Sequence, residues 1–443
     1  MPTTYRPYDP DQLLLLPASL KEWLPEQHLA YFVSDAVDAL ELTAFHARYE
    51  GDGRRRQPFD PAMMVKVLVY AYANGVFSSR VIARRLEEDV AFRVLGAGNF
   101  PAHRTIREFR QLHLAEFSGL FVQVVQLARE AGLVKLGRVG IDGTKVKANA
   151  SKHKAMSYAR MREEEARLKA EIGALLQQAE AQDKAEDTRY GAHRRGDELP
   201  EELARREQRL QVIQAAKARL EARQREQDHQ DGRRVDENDQ TRGPGGRICK
   251  RAFGVPQDKA QENFTDPQSR IMKTGEGFQQ CYNAQAAVEE DSRLIVANAL
   301  NNCAADTEQL LPMVRATIRN TGAVPAMTLA DSGYASEDNF AALECEELAA
   351  CVALGREGEQ RRPIDPNQYP ATQRMAERLA SAEGQAHYRR RKVIPEPVFG
   401  WIKQAMGFRR FSVRGLEAVR GEWNLVCLAL NLRRMQRLGW CPS

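Results

Sequence analysis

At Arg138 the spacing of apolar residues switches from helical to alternating, and this switch constrains the fold more than any other feature of the chain. Arg138-Val139-Gly140-Ile141-Asp142-Gly143-Thr144-Lys145-Val146-Lys147 alternates as a strand does. What precedes it reads as helix. His28 to Val33, with Ala36, Val37 and Leu40, makes one apolar face. A break follows at Gly51-Asp52-Gly53 with the basic run Arg54-Arg55-Arg56. Asp60-Pro61 then opens a helix, Asp as cap and Pro in the first turn, carrying Met64, Val67, Leu68 and Ala71 inward. Ser78-Ser79 caps a short helix from Arg80 to Leu86, and Pro101 leads into His103 to Arg110 before an apolar helix around Phe117 to Leu127. Three short helices, the last bearing Arg104, Arg107 and Arg110, suit a helix-turn-helix whose final helix enters the major groove. A small helical bundle with a basic surface gives the same pattern.

The strand pattern is then interrupted. From about Lys152 to Val235 the chain is rich in Ala, Glu, Gln, Arg and Lys, with acids and bases in rough balance. Leu168, Ile172, Leu175 and Leu176 form one apolar stripe; Leu203, Leu210, Ile213 and Leu220 form another. The polar stretch Asp183 to Pro200 separates them. Two long helices folded into a hairpin are predicted, followed by a Gly-rich loop over Asp228 to Gly246. Strand signals return at Cys281 to Val288 and Leu294 to Leu300, flanking a turn at Glu290-Asp291-Ser292. A helix over Asp306 to Asn320, a strand over Ala326 to Ala330, a helix over Ser336 to Leu348 and a strand over Ala350 to Leu354 complete the pattern. A polar linker, Arg356 to Ala382, leads into a basic helical tail. Three strands, helix, strand, helix, strand, helix is the order of an RNase H-like α/β core with a mixed five-stranded sheet. The predicted partition is a helical region over 1–135, a catalytic core over 136–151 and 247–443, and an insertion over 152–246.

A length of 443 residues accommodates such a multi-part chain. The net charge of +5, from 65 basic and 60 acidic residues, decides nothing about nucleic acid by itself. Seven scattered cysteines without a CxxC pair offer no zinc pattern and read as reduced thiols. Leu13 to Leu16 is stopped at once by Pro17, and no apolar run approaches the ~20 residues of a membrane span. A cytosolic protein without a signal peptide is expected.

Within the predicted sheet, Asp142 ends the first strand and Asp331 follows the fourth. Those strands are neighbours in such a core, so two carboxylates far apart in sequence meet at one edge. Hard oxygen ligands of this kind suit Mg²⁺, and paired ions serve phosphoryl transfer. Glu396, between Pro395 and Pro397, is the candidate third acid from the late helix, with Glu417 and Glu422 as rivals in the same tail. Most single acids are merely solvated; two placed at strand ends by periodicity are less readily dismissed. Asp266 reads as a turn former before Pro267.

Several blocks resemble bacterial insertion-sequence transposases of the DDE type. Asp142-Gly143-Thr144-Lys145-Val146-Lys147-Ala148-Asn149-Ala150-Ser151 is similar to their first-Asp block, and Ala330-Asp331-Ser332-Gly333-Tyr334 to the second. Asn263-Phe264-Thr265-Asp266-Pro267, Ser269-Arg270, Gly275, Phe278 and Tyr282-Asn283-Ala284-Gln285 resemble the stretch between. Tyr388, Arg391, Glu396 and Lys403 resemble the Tyr/Arg/Glu/Lys signature of that superfamily. Pro58-Phe59-Asp60-Pro61 and His103-Arg104-Thr105-Ile106 look like its helical N-terminal domain. One departure stands out: four residues separate Arg391 from Glu396 where three are usual, and Lys392 sits where three would put the base.

The resemblance implies that Asp142, Asp331 and Glu396 hold two Mg²⁺ ions, with Mn²⁺ as a substitute. Water then cleaves a phosphodiester at a transposon end, and the freed 3′-hydroxyl attacks the opposite strand or target DNA. Tyr388, Arg391 or Lys392, and Lys403 would hold phosphates, with Arg104, Arg107 and Arg110 on the duplex; Lys145 and Lys147, alternating with Val146, either face DNA beside Asp142 or are ordinary surface lysines. Trp401 stacks on a base or simply fills an apolar helix face. The implied partner is double-stranded DNA, both transposon ends and target, held by a homodimer. The competing readings are an RNase H-like nuclease without strand transfer and a catalytically silent DNA-binding descendant.

Overall fold

The strand that begins at Arg138 is the centre of the molecule's main sheet. In the computed structural model, which describes residues 19–49, 57–190, 201–236, 239–355 and 364–442, five strands form this core: β1 (Arg138–Lys147), β2 (Gly277–Glu289), β3 (Ile295–Asn301), β4 (Met327–Ala330) and β5 (Ala350–Val352). Their order is β5-β4-β1-β2, with β3 on the later half of β2. A sixth short strand, Arg270–Thr274, pairs antiparallel with the first half of β2, from Arg270↔Cys281 to Thr274↔Gly277. β1 and β5 both run parallel to β4, while β2 and β3 are antiparallel. The fold is therefore the mixed sheet with flanking helices anticipated for an RNase H-like core. Leu13 to Leu16, Gly51 to Arg56 and most of the polar separator before Pro200 lie outside the described residues.

Two compact units divide the chain. The first comprises 1–146 and 283–443, the second 147–282. In the first, seven α-helices precede the sheet among the described residues: α1 (Leu29–Asp38), α2 (Thr43–Ala47), α3 (Pro61–Ala73), α4 (Ser79–Glu88), α5 (Val90–Gly96), α6 (His103–Leu112) and α7 (Glu116–Glu130). α3 starts as its sequence dictates, with Asp60 accepting from the Met63 amide at 2.9 Å and Pro61 in the first turn. After the sheet's hairpin come α8 (Leu310–Thr321), α9 (Glu337–Cys345, capped by Ser336), α10 (Pro370–Ala380), α11 (Ala382–Arg390), α12 (Pro395–Gly400) and α13 (Leu416–Arg437). α13 packs on α7, α3 and β3, so its middle, from Gly421 to Leu432, is buried nearly all round. At Gly421 the approach is so close that a Cβ would lie 2.5 Å from the Leu114 carbonyl oxygen.

One segment departs from expectation. The polar linker read over Arg356 to Ala382 contains the helix α10, because Pro370 stands in its first turn rather than breaking it. Ala371, Met375 and Leu379, four residues apart, supply its buried face.

The second unit carries the helical hairpin. Helices Tyr158–Tyr190 and Glu201–Gln230 pack on each other around Met161, Leu168, Ile213, Ala216 and Leu220. The strand Ala155–Ser157 pairs antiparallel with Gln261–Asn263, whose buried Glu262 is held by Arg219 (2.8 Å) and Arg223 (3.1 Å). The ends of this unit meet, the Ala148 amide donating to the Gln280 carbonyl at 2.8 Å. Among the described residues, no helix is long and apolar enough to cross a membrane, and the seven cysteines are free.

Candidate active site

The ladder between β1 and β4 builds the site. Ile141 is paired with Ala330 at its end, so the next residue on each strand, Asp142 and Asp331, emerges at one sheet edge. Asp331 caps the short turn Ser332–Tyr334, accepting from the Gly333 amide at 2.9 Å, and Asp142 accepts from the Gly143 amide at 2.7 Å. The charge of Asp331 acts on Asp142. Burial, and after it the negative charge of Asp331, raises the Asp142 carboxyl to about 6. A partly buried pair of like charges is a poor resting arrangement and a good cation site.

Positive charge from the protein comes from the late helices. Arg391, following α11, acts on Asp142 as a lowering charge. Its guanidinium lies 5.5 Å from the centre of the Tyr388 ring, and its buried Nε has no hydrogen-bond partner among the described residues. Asp331, Ser332, Ala353, Gly355, Tyr388, Arg391 and Lys392 line one cavity of about 280 Å³. The two candidate bases are thus not exclusive, since Arg391 and Lys392 both face the hollow beside Asp331.

α12 lies over the same face of β1. Alternate residues of a strand share a face, so Gly140, Asp142 and Thr144 point one way. Ile394 and Pro395 press on Gly140, where a Cβ would come within 2.9 Å of each. Further along, Lys403 donates to the Thr144 hydroxyl and to the Lys145 carbonyl, the latter at 3.3 Å. Contacts at Gly140 and Thr144 bracket Asp142. Glu396 stands in the first turn of α12, exposed, where a carboxylate is favoured by the helix dipole. Among the described residues, no group of three acids, cysteines or histidines is close enough to hold a metal ion together. The two aspartates, hard oxygen donors that repel each other, fit a divalent cation; Glu396 does not complete a triad with them in this arrangement. Beyond α12 the chain makes a π turn over Trp401–Ala405. Trp401 is faced by the guanidinium groups of Arg433 (5.9 Å) and Arg437 (4.6 Å).

The families described as "Transposase DDE domain" and "Transposase domain (DUF772)" match residues 204–432 and 18–112. The chain belongs to the DDE transposases. The resemblance to insertion-sequence members read from the sequence is thereby shown. The DDE match includes Asp331 and Glu396 and starts after Asp142, so the first aspartate rests on the ladder and on its own motif. No curated protein and no solved structure matches this transposase.

The other residues of interest in this transposase are dispersed. Lys145 Nζ lies 3.4 Å from both oxygens of Asp306, and Lys147 pairs with Glu276 at 2.6 Å. Arg104 and Arg107 are exposed on α6. Arg110 is a correction to the set of DNA-facing arginines. It is 4% exposed and donates to the Tyr72 hydroxyl (3.0 Å) and the Phe77 carbonyl (2.8 Å). It belongs to a buried ionic network with Glu422, not to the surface. Asp266 is buried, its Oδ1 accepting from the Tyr282 hydroxyl at 2.8 Å. Sequence reasoning missed Asp306, which accepts from Asn283 and Gln285 beside the aspartates. It reads as an ordinary helix start, and no local signal sets it apart.

Proposed function

We propose that this transposase binds the terminal inverted repeats of its own element, cleaves DNA there, and joins the freed 3′-hydroxyl ends to new DNA. The observation that carries this reading is the pairing of Ile141 with Ala330, which sets Asp142 and Asp331 side by side, with Arg391 acting on Asp142. In the proposed site Asp142 and Asp331 would hold two Mg²⁺ ions, with Mn²⁺ as a substitute, and Glu396, which forms no three-acid group with them among the described residues, would join as the third acid once ions and DNA are bound. Such ions, when bound, stabilise charge on the entering and leaving oxygens. The chain's own groups orient the substrate. Arg391, Tyr388 and Lys392 grip phosphate oxygens at the hollow beside Asp331, and Lys403, Lys145 and Lys147 add positive charge along β1. The helical region over 1–135 engages duplex DNA, the core over 136–151 and 247–443 performs the chemistry, and the insertion over 152–246 serves packing, its charges being balanced. Two DNA ends joined in one reaction call for a homodimer.

The test uses the full chain and a linear duplex carrying the inverted repeats that flank its gene. With Mg²⁺ it is expected to release ends bearing 3′-hydroxyls and to form joined products, and EDTA is expected to stop both. Cleavage without joining would reduce the enzyme to a nuclease, and cleavage that persists in EDTA would remove the metal from the reading altogether.

The exposed arginines of α6 make a separable prediction. Replacing Arg104 and Arg107 with Ala should weaken DNA binding and lower the salt dependence, the slope of log K against log salt falling by roughly 0.9 per lost phosphate contact. Arg110→Ala should leave that slope unchanged, because the side chain is buried. Equal slopes for all three proteins would remove α6 from the interface.

A further inference from the structure

Asp306 sits at the cap position of the short turn Thr307–Gln309, yet its side chain caps nothing. The carboxylate is committed elsewhere. Its Oδ1 accepts from Asn283 Nδ2 at 2.6 Å and from Gln285 Nε2 at 2.7 Å, and Lys145 Nζ stands 3.4 Å from both its oxygens. Three donors converge on one group, and a carboxylate, which accepts on both oxygens and donates from neither, satisfies them all.

That commitment is passed on. Because Gln285 spends its amide N–H on Asp306, its Oε1 is the end presented to Tyr334, whose hydroxyl donates to it. Tyr334 is fully buried and closes the turn that Asp331 caps. The network also touches the backbone next to each aspartate. A Cβ on Gly143 would lie 2.4 Å from Gln285 Nε2 and 2.9 Å from Asp306 Oδ1. A Cβ on Gly333 would lie 3.0 Å from Asp331 Oδ1 and 3.5 Å from Asp306 Oδ2.

We infer that Asp306 is a positioning residue for the aspartate pair: acting through Gln285 and Tyr334, it fixes the turn that carries Asp331 and so sets its placement relative to Asp142. The inference rests on the reading that Asp142 and Asp331 hold the metal. Partners that orient metal-binding side chains typically carry 10–100-fold in affinity. Asp306→Asn keeps the shape but turns one acceptor into a donor, so the Gln285 amide can reverse and release Tyr334. Tyr334→Phe cuts the same chain at its far end.

The experiment follows the thermal stabilisation of the full, DNA-free chain during a Mn²⁺ titration. Asp306→Asn and Tyr334→Phe are each expected to move the Mn²⁺ midpoint upward by about tenfold or more, and the double variant no further than the larger single shift, since the two act in one chain. If Asp306→Asn fails to fold, Tyr334→Phe decides alone. Unchanged midpoints, in a series where Asp142→Asn abolishes the Mn²⁺ response, would overturn the role of Asp306 and leave the metal site standing. A Mn²⁺ response that survives in Asp142→Asn would overturn the metal site itself, and this inference with it.

Discussion

Asp142→Asn is expected to lower DNA cleavage and joining by about three orders of magnitude while making the metal-free protein more stable at neutral pH. The activity loss follows if Asp142 holds the proposed ion, which would contribute several kcal/mol to the transition state, each 1.36 kcal/mol being tenfold in rate. Asp331→Asn and Glu396→Gln should lose activity likewise. The stability gain follows from the raised carboxyl. Its folded value, about 6, lies above its ordinary 3.8, chiefly through burial and then through Asp331. Between those values the folded chain binds the extra proton, so stability falls as pH rises through the window. The full penalty holds above about 6 and vanishes below about 4. An upper bound is about 3 kcal/mol, reduced by solvent screening at the partly open carboxylate. Melting in EDTA at pH 8 and at pH 4 checks this: the variant should melt higher at pH 8 and level with the parent at pH 4. A variant that melts lower at pH 8 would show that Asp142 is a structural acid. Function bought at the expense of stability is the usual mark of an active-site group.

Glu422→Ala should do the reverse, destabilising the fold by about 3–5 kcal/mol, the typical result of stripping one partner from a buried ionic network. Glu422 is fully buried. It accepts from the Tyr72 hydroxyl and the Ser412 amide, each at 2.7 Å, and from the Ser412 hydroxyl. Tyr72 in turn takes the Arg110 guanidinium, so the substitution strands a buried positive charge on α6. Denaturant unfolding should show the full loss in the midpoint, with Glu396→Gln near the parent because its carboxylate is exposed. Should Glu422→Ala unfold like the parent and yet fail to cleave DNA, the third acid has been assigned to the wrong glutamate.

These two glutamates illustrate what the sequence could and could not say. Strand alternation placed Asp142 and Asp331 on neighbouring strands because parallel pairing converts periodicity directly into position, but Asp142 lies midway along β1, just past its last pair with β4, and not at the strand's end. Glu396 and Glu422 occupy one helical tail, and composition alone does not separate them. The spacing held a hint. Glu422 follows Val419 by three residues and precedes Val426 by four, on the inward side of α13. Arg110 likewise follows the buried Ile106 by four residues, so its direction was legible in a way its charge obscured. What no local pattern holds is the partner. Tyr72 is 350 positions from Glu422, and the two meet through the packing of α13 on α3. Asp306 was illegible for the same reason, its donors coming from β1 and β2. Pro370 was misread because proline both ends and begins helices.

The closed neck of the second unit, where the Ala148 amide meets the Gln280 carbonyl, bears on how such a chain changes over time. A segment whose two ends are already fastened together behaves as a single appended loop. Closure entropy rises by only about 0.6 kcal/mol for each doubling of loop length. Helical turns can therefore be added to or trimmed from the hairpin at small thermodynamic cost, and the ladder from Arg138 to Ile141 that aligns the aspartates is unaffected by that length.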